Sequence, residues 1–137
     1  MDPIVLGVIH WLHVFLGIFW FGTILYTRIV LFPALRTLPE ETYAAARKAM
    51  VSGNAQRWTR IFSYGTVILG IIRGAATGVF AQLDTSYGIT YLVALAIGVF
   101  MIGLLYAPWF RAPIWRKVYV GGFPVMFTLM VLMRFGV

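Results

Sequence analysis

The sequence predicts an all-α protein, an integral membrane four-helix bundle that forms a single four-helix transmembrane domain over residues 1–137. Hydrophobic residues make up 61% of the chain and charged residues only 11%, which is too apolar for a soluble domain of this length. Four apolar stretches reach the roughly 20 residues that a helix needs to cross a bilayer. These runs are continuous, whereas the strands of a membrane β-barrel would alternate in polarity.

The four predicted spans are Ile4–Thr27, Ile61–Ala81, Tyr87–Ala107 and Val118–Phe135. The first is expected to remain in the protein as a helix, because no basic region precedes it and no small-residue cleavage pattern follows it. A short cytoplasmic surface helix is predicted between spans one and two. Thr37 and Glu40 have the spacing of a capping box at its start, and Ser52-Gly53-Asn54 ends it.

The net charge of +7 is distributed to one side of the predicted membrane. The positive-inside rule therefore makes this side cytoplasmic, with both termini outside and the chain multi-pass in a plasma or inner membrane. Topology and anionic lipid headgroups account for the charge, so no nucleic-acid partner is expected. The basic residues on this side are Arg28, Arg36, Arg47, Lys48, Arg57 and Arg60 around the first connection and Arg111, Arg116 and Lys117 in the third. Trp58, Trp109 and Trp115 are expected at the same interface.

Polar groups inside the predicted spans are few, and three of them lie at one depth. His10 and His13 are the only histidines of the chain. They are three residues apart and so occupy neighbouring positions of one helix face, directed toward the same neighbour. His13 lies about 13 Å and Arg73 about 12 Å from the outer ends of their helices. No acid within a span can neutralise Arg73, so it is expected to face protein interior, water or an anionic ligand.

These groups predict a haem b site. Histidine is a common axial ligand of haem iron, and methionine can be the second. His13 or His10 would bind the iron; because they share a face, the two cannot grip one iron from opposite sides. Arg73 would meet the propionates, together with Tyr87 and Arg134 near the outer surface.

Glycines and methionines allow more than one interpretation. Gly70, Gly74 and Gly78 recur at four-residue intervals, which admits either a flat ring or a closely packed helix. Met126, Met130 and Met133 lie roughly on one face of the fourth helix. They serve either as packing residues or, in the case of Met130 and Met133, as metal ligands. With His13 and His10 they would suit copper. The chain has no cysteine, so a thiolate site is excluded.

The first helix also resembles a known family. His13 is followed by Trp20-Phe21-Gly22, Tyr26 and Arg28, similar to the first-helix pattern of HemJ-type protoporphyrinogen oxidases and of CopD-like copper-resistance membrane domains. The resemblance implies a b-type haem or a metal at His13, with Trp20, Gly22 and Arg28 matching the helix-end pattern. The sequence differs from HemJ-type proteins in the third predicted helix, which lacks the functional lysine that those proteins carry there.

The expected function is therefore a membrane-embedded b-type haem-binding protein with a redox or electron-transfer role. The alternatives are a CopD-like copper-binding or copper-transport protein and a non-catalytic accessory subunit of a larger membrane complex. A hydrolase is not expected, because the spans contain no carboxylate and no Ser-His-Asp pattern. The lipid bilayer and a redox partner are the expected partners, and a homodimer is compatible with the free helix surface of a small bundle.

Overall fold

The structure is a computed structural model that describes residues 1–50, 52–107 and 112–136. All regular elements in these ranges are helices, which confirms the all-α prediction for them. A π-helical turn, Thr27–Leu31, continues the first helix, and a 3₁₀ turn, Val79–Ala81, follows the fourth. The α-helices are α1 (Pro3–Tyr26), α2 (Phe32–Leu35), α3 (Glu40–Met50), α4 (Gly53–Ala76), α5 (Ser86–Tyr106) and α6 (Pro113–Arg134). The predicted positions of Trp109 and Arg111 lie outside the described residues.

Helix termini follow local chemistry and correct two predictions. α4 ends at Ala76, earlier than predicted, because Gly78 adopts a left-handed conformation with φ of 74°, which ends a helix. Thr37 does not cap α3. Its hydroxyl instead donates to the Ala34 carbonyl at 2.8 Å at the end of α2, and the first backbone bond of α3 runs to Pro39.

The long helices pack antiparallel to their neighbours in sequence. Along α1 and α4, Leu16 lies against Gly65 and Phe19 against Phe62, so one helix advances as the other returns. The α5 helix packs antiparallel to α4 in the same way, and α6 packs antiparallel to α5. The contacts are Tyr91 with Gly70 and Gly98 with Val67 in the first case, and Gly98 with Met126 and Met101 with Gly122 in the second.

The buried core lies in the half of the molecule nearer the π-helical turn. Trp20 is only 2% exposed, and its Nε1–H donates to the Tyr119 hydroxyl at 2.8 Å. Phe123 meets the Trp20 ring edge-on at 5.2 Å. Met101 and Leu104 complete this side of the cluster. The core therefore joins α1 to α6 and closes the ring of long helices.

Replacing Tyr119 with phenylalanine is expected to lower the free energy of unfolding by about 1–3 kcal/mol, because the buried Trp20 N–H loses its acceptor. Thermal unfolding in detergent micelles measures the change. Tyr26→Phe is the matched control, since Tyr26 is exposed. Equal melting temperatures for the two variants would show that the Trp20 bond contributes nothing.

Three helical segments in the described ranges are long and apolar enough to cross a membrane: Pro3–Leu35, Ser86–Tyr106 and Pro113–Arg134. Large apolar side chains such as Trp11 and Ile18 are exposed along them, which is typical of surfaces that face lipid. α4 falls outside this group because polar residues, among them Ser63, Thr66 and Arg73, lower its hydropathy. The structure is thus consistent with a membrane protein and supports three of the four predicted spans.

Candidate functional site

All four long helices contribute to a small cavity of about 80 Å³. It lies on the side of the core away from the π-helical turn. His13 enters from α1, Arg73 from α4 and Tyr91 from α5. The α6 helix contributes three methionines, and the remaining lining is small or aliphatic. The methionines are Met126, Met130 and Met133, and the other residues are Thr66, Val67, Gly70, Ala94, Leu95 and Gly98.

His13 is held by a backbone carbonyl. Its Nδ1–H donates to the carbonyl oxygen of Thr66 at 2.7 Å. A carbonyl can only accept, which assigns the ring proton to Nδ1 and leaves a lone pair on Nε2. A Cβ at position 70 would lie 3.0 Å from His13 Cε1, so Gly70 makes room for the ring. An imidazole fixed through one nitrogen with the other free is the usual arrangement of a metal-binding histidine.

The methionines follow helical spacing. Met126, Met130 and Met133 are four and then three residues apart, which keeps them on one side of α6. All three are half-buried and line the cavity. Gly98 of α5 lies opposite Met126, where a Cβ would be in ordinary van der Waals contact with the sulfur at 3.9 Å. Thioether sulfur is a soft donor, so the cavity presents soft ligands beside one imidazole.

Arg73 brings a positive charge to the same cavity. Its side chain is half-buried, and among the described residues no carboxylate forms an ion pair with it. The predicted common depth of Arg73 and His13 agrees with their shared cavity.

The structure separates the two histidines. His10 is exposed and does not line the cavity, whereas His13 is turned inward. Only His13 of the two predicted ligands therefore lines the cavity, although Arg73 lies within electrostatic range of both rings. Three residues of helix leave a rotation of about 60° between side chains, and that is enough to turn His10 outward. Arg73 and Arg134 lie within electrostatic range of His10.

Three further predicted residues also lie outside the cavity lining. Tyr87 is half-buried near the start of α5, and Arg134 is exposed at the end of α6. Gly74 is in contact with the Tyr91 ring, and the Tyr91 hydroxyl donates to the Gly70 carbonyl at 3.3 Å. Gly70 and Gly74 thus allow close packing of His13 from α1 and Tyr91 from α5, and position 74 is closed to a flat ring.

The cavity fits an ion better than a macrocycle. Sites for small organic molecules have volumes of about 300–1,000 Å³, whereas this cavity has about 80 Å³. The cavity beside His13 is therefore smaller than the usual site of a small organic molecule. Among the residues that the structure describes, no three His, Asp or Glu side chains cluster as metal ligands, so a metal here would depend on His13 and thioethers.

Two groups that help to build the cavity around His13 were not predicted from the sequence. The Thr66 carbonyl is a backbone group, for which residue identity gives no signal. Tyr91 is a polar aromatic residue inside an apolar helix, which is a weak signal, and its position opposite Gly70 and Gly74 depends on helix register. Met126 was noted in the methionine face but not among the expected ligands.

Comparisons with known protein families, with curated proteins and with solved structures find no match to this chain.

Proposed function

We propose that this chain is a copper-handling integral membrane protein that binds copper(I) between its four long helices. The observation that carries the proposal is the free Nε2 of His13 in a cavity lined by three thioethers. Held there, copper(I) would be shielded from water and available for transfer or for a one-electron redox step. His13 would be the nitrogen ligand, and Met126, Met130 and Met133 would supply sulfur.

The donor chemistry favours copper(I) over other metals. Thioether and imidazole groups suit soft ions, whereas Mg²⁺ and Ca²⁺ require carboxylate, carbonyl or water oxygens. Among the residues that the structure describes, no carboxylate lines the cavity. The guanidinium of Arg73 adds a like charge, whose repulsion of a monovalent ion is half that of a divalent ion at the same distance. The donor set therefore supports a soft cation, and Arg73, which opposes any cation, opposes a monovalent ion less than a divalent one.

The proposal includes α4 as the fourth membrane span. Its buried hydroxyls are satisfied within the helix, because Ser63 donates to the Arg60 carbonyl at 3.2 Å and Thr66 to the Phe62 carbonyl at 2.6 Å. Arg73 borders the cavity between helices, as expected for a charged group in a membrane. With the basic connections cytoplasmic, both termini would lie outside an inner or plasma membrane.

Copper(I) titration of the detergent-purified protein against a chromophoric copper(I) chelator tests the proposal. We expect one ion per chain and a loss of affinity of at least about tenfold on replacing Met130 and Met133 with leucine, because sulfur ligands are removed at nearly constant volume. Met50→Leu is the matched control, since Met50 lies in α3 and does not line the cavity.

Three results would contradict the proposal. Unchanged affinity in the Met130→Leu/Met133→Leu variant would remove the thioethers from the site. A Soret band with reduced α and β bands in protein from haem-supplied cells, lost on substitution of His13, would establish the b-type haem alternative. Protein without colour and without copper affinity would favour the accessory-subunit alternative, in which His13 only forms an interhelical hydrogen bond.

A further inference from the structure

A second and larger cavity, of about 550 Å³, lies at the opposite ends of the helices. It is bounded by the end of α1, the π-helical turn, the start of α4 and the end of α5. Its volume falls within the range of sites that bind small organic molecules, about 300–1,000 Å³. The copper proposal makes no use of it, and no described residue lines both cavities.

The walls of this cavity have two chemical characters. Trp20 is buried, and Ile24, Phe62 and Leu105 are half-buried, so the inner part is apolar. Gln56 and Arg60 are exposed, while Thr59 and Arg28 are half-buried, and these polar residues form its outer part. A ligand that satisfies both parts must be amphiphilic.

The polar part carries unneutralised positive charge. Arg28 lies over the Phe32 ring at 5.5 Å and Arg60 over the Tyr106 ring at 5.9 Å, contacts that orient a guanidinium without cancelling its charge. No carboxylate among the described residues pairs with either arginine. Arg47 and Arg116 lie within electrostatic range of Arg28 and make the region more positive. An anion is therefore the complementary ligand.

The backbone is also irregular at this wall. Residues Thr27–Leu31 form a π-helical turn, and Arg28 and Leu31 line the cavity from it. π-Helical turns are rare and occur frequently at functional sites. This wider turn is found where α1 passes from apolar to basic sequence, at the expected depth of lipid headgroups.

We propose that this cavity binds one anionic glycerophospholipid. Arg28 and Arg60 bind its phosphate, and the first carbons of an acyl chain lie against Ile24, Phe62 and Leu105. Guanidinium groups bind phosphate oxygens through paired hydrogen bonds. The apolar inner wall requires a chain that inorganic phosphate lacks, so the ligand is a lipid of the surrounding bilayer. Anionic lipids are abundant in the leaflet that faces basic connections.

Native mass spectrometry of the full chain, delipidated in a neutral detergent and titrated with phosphatidylglycerol or phosphatidylcholine, tests this site. We expect the first phosphatidylglycerol to bind at least about tenfold more tightly than phosphatidylcholine. The Arg28→Gln/Arg60→Gln variant is expected to lose that preference, because paired charge-assisted bonds to the phosphate are removed. Arg36→Gln/Arg57→Gln removes the same charge from exposed residues that do not line the cavity and is expected to keep it.

The outcomes separate the site from general surface charge. If both double variants lost the preference for phosphatidylglycerol to the same extent, the proposal would be overturned. Equal affinity of the wild type for the two lipids would also overturn it. Competition by glycerol phosphate at the same concentration as the lipid would also overturn it, because the acyl chain would then contribute nothing. If the Arg28 variant unfolds, Arg60→Gln alone decides the question, since Arg60 is exposed and its replacement leaves the core intact.

Discussion

His13→Ala is expected to lower the affinity of the protein for copper(I) by more than about 100-fold, because loss of groups that only orient a ligand already costs about 10–100-fold. His10→Ala is expected to leave the affinity almost unchanged, since His10 is exposed and outside the cavity. The two variants remove the same chemical group from adjacent turns of α1. Competition with a chromophoric copper(I) chelator measures both.

A structural effect of His13→Ala must be distinguished from loss of a ligand. The His13 ring bonds to the Thr66 carbonyl, so the variant also loses a contact between α1 and α4. X-ray absorption at the copper edge separates the two effects: the nitrogen scatterer is expected to disappear in His13→Ala and to persist in His10→Ala. Loss of that scatterer in His10→Ala instead would show that the wrong histidine has been assigned.

Gly88→Ala is expected to destabilise the protein by about 3 kcal/mol or more, the upper end of the usual cost of overpacking. Gly88 is buried in the first turn of α5. A Cβ there would overlap the Gln82 carbonyl and would lie 2.8 Å from Leu83 Cα. Both are backbone groups, so the connection between α4 and α5 would have to move. A flexible side chain could have rotated away at far lower cost.

Gly103→Ala in the same helix is the matched control for Gly88→Ala. A Cβ at Gly103 meets no atom of the described residues within 4 Å, and alanine favours the helix by about 1 kcal/mol over glycine. The melting temperature in detergent micelles should therefore fall for Gly88→Ala and rise for Gly103→Ala. A Gly88→Ala protein as stable as the wild type would show that the connection is not tightly packed.

The sequence by itself determined the all-α class of the described residues, because long continuous apolar runs satisfy their own backbone groups as helices. It also determined that α6 carries its methionines on one face, since helical spacing fixes that. The helix ends predicted from the sequence were less accurate. The limit of α4 is set by the left-handed Gly78, and the sequence offered Gly74 and Gly78 as equivalent members of one repeat.

Only the tertiary structure decided which polar groups meet. His13 and Arg73 share a cavity and His10 does not, because the rotation of α1 about its axis depends on its packing against α4. Tyr91 lies against Gly74 because the register of α5 places it there. The volume of this cavity, which suits an ion better than a macrocycle, depends on how closely the four long helices pack together. Hydropathy and periodicity act along one helix, whereas the rotation and register that build this site are properties of helix pairs.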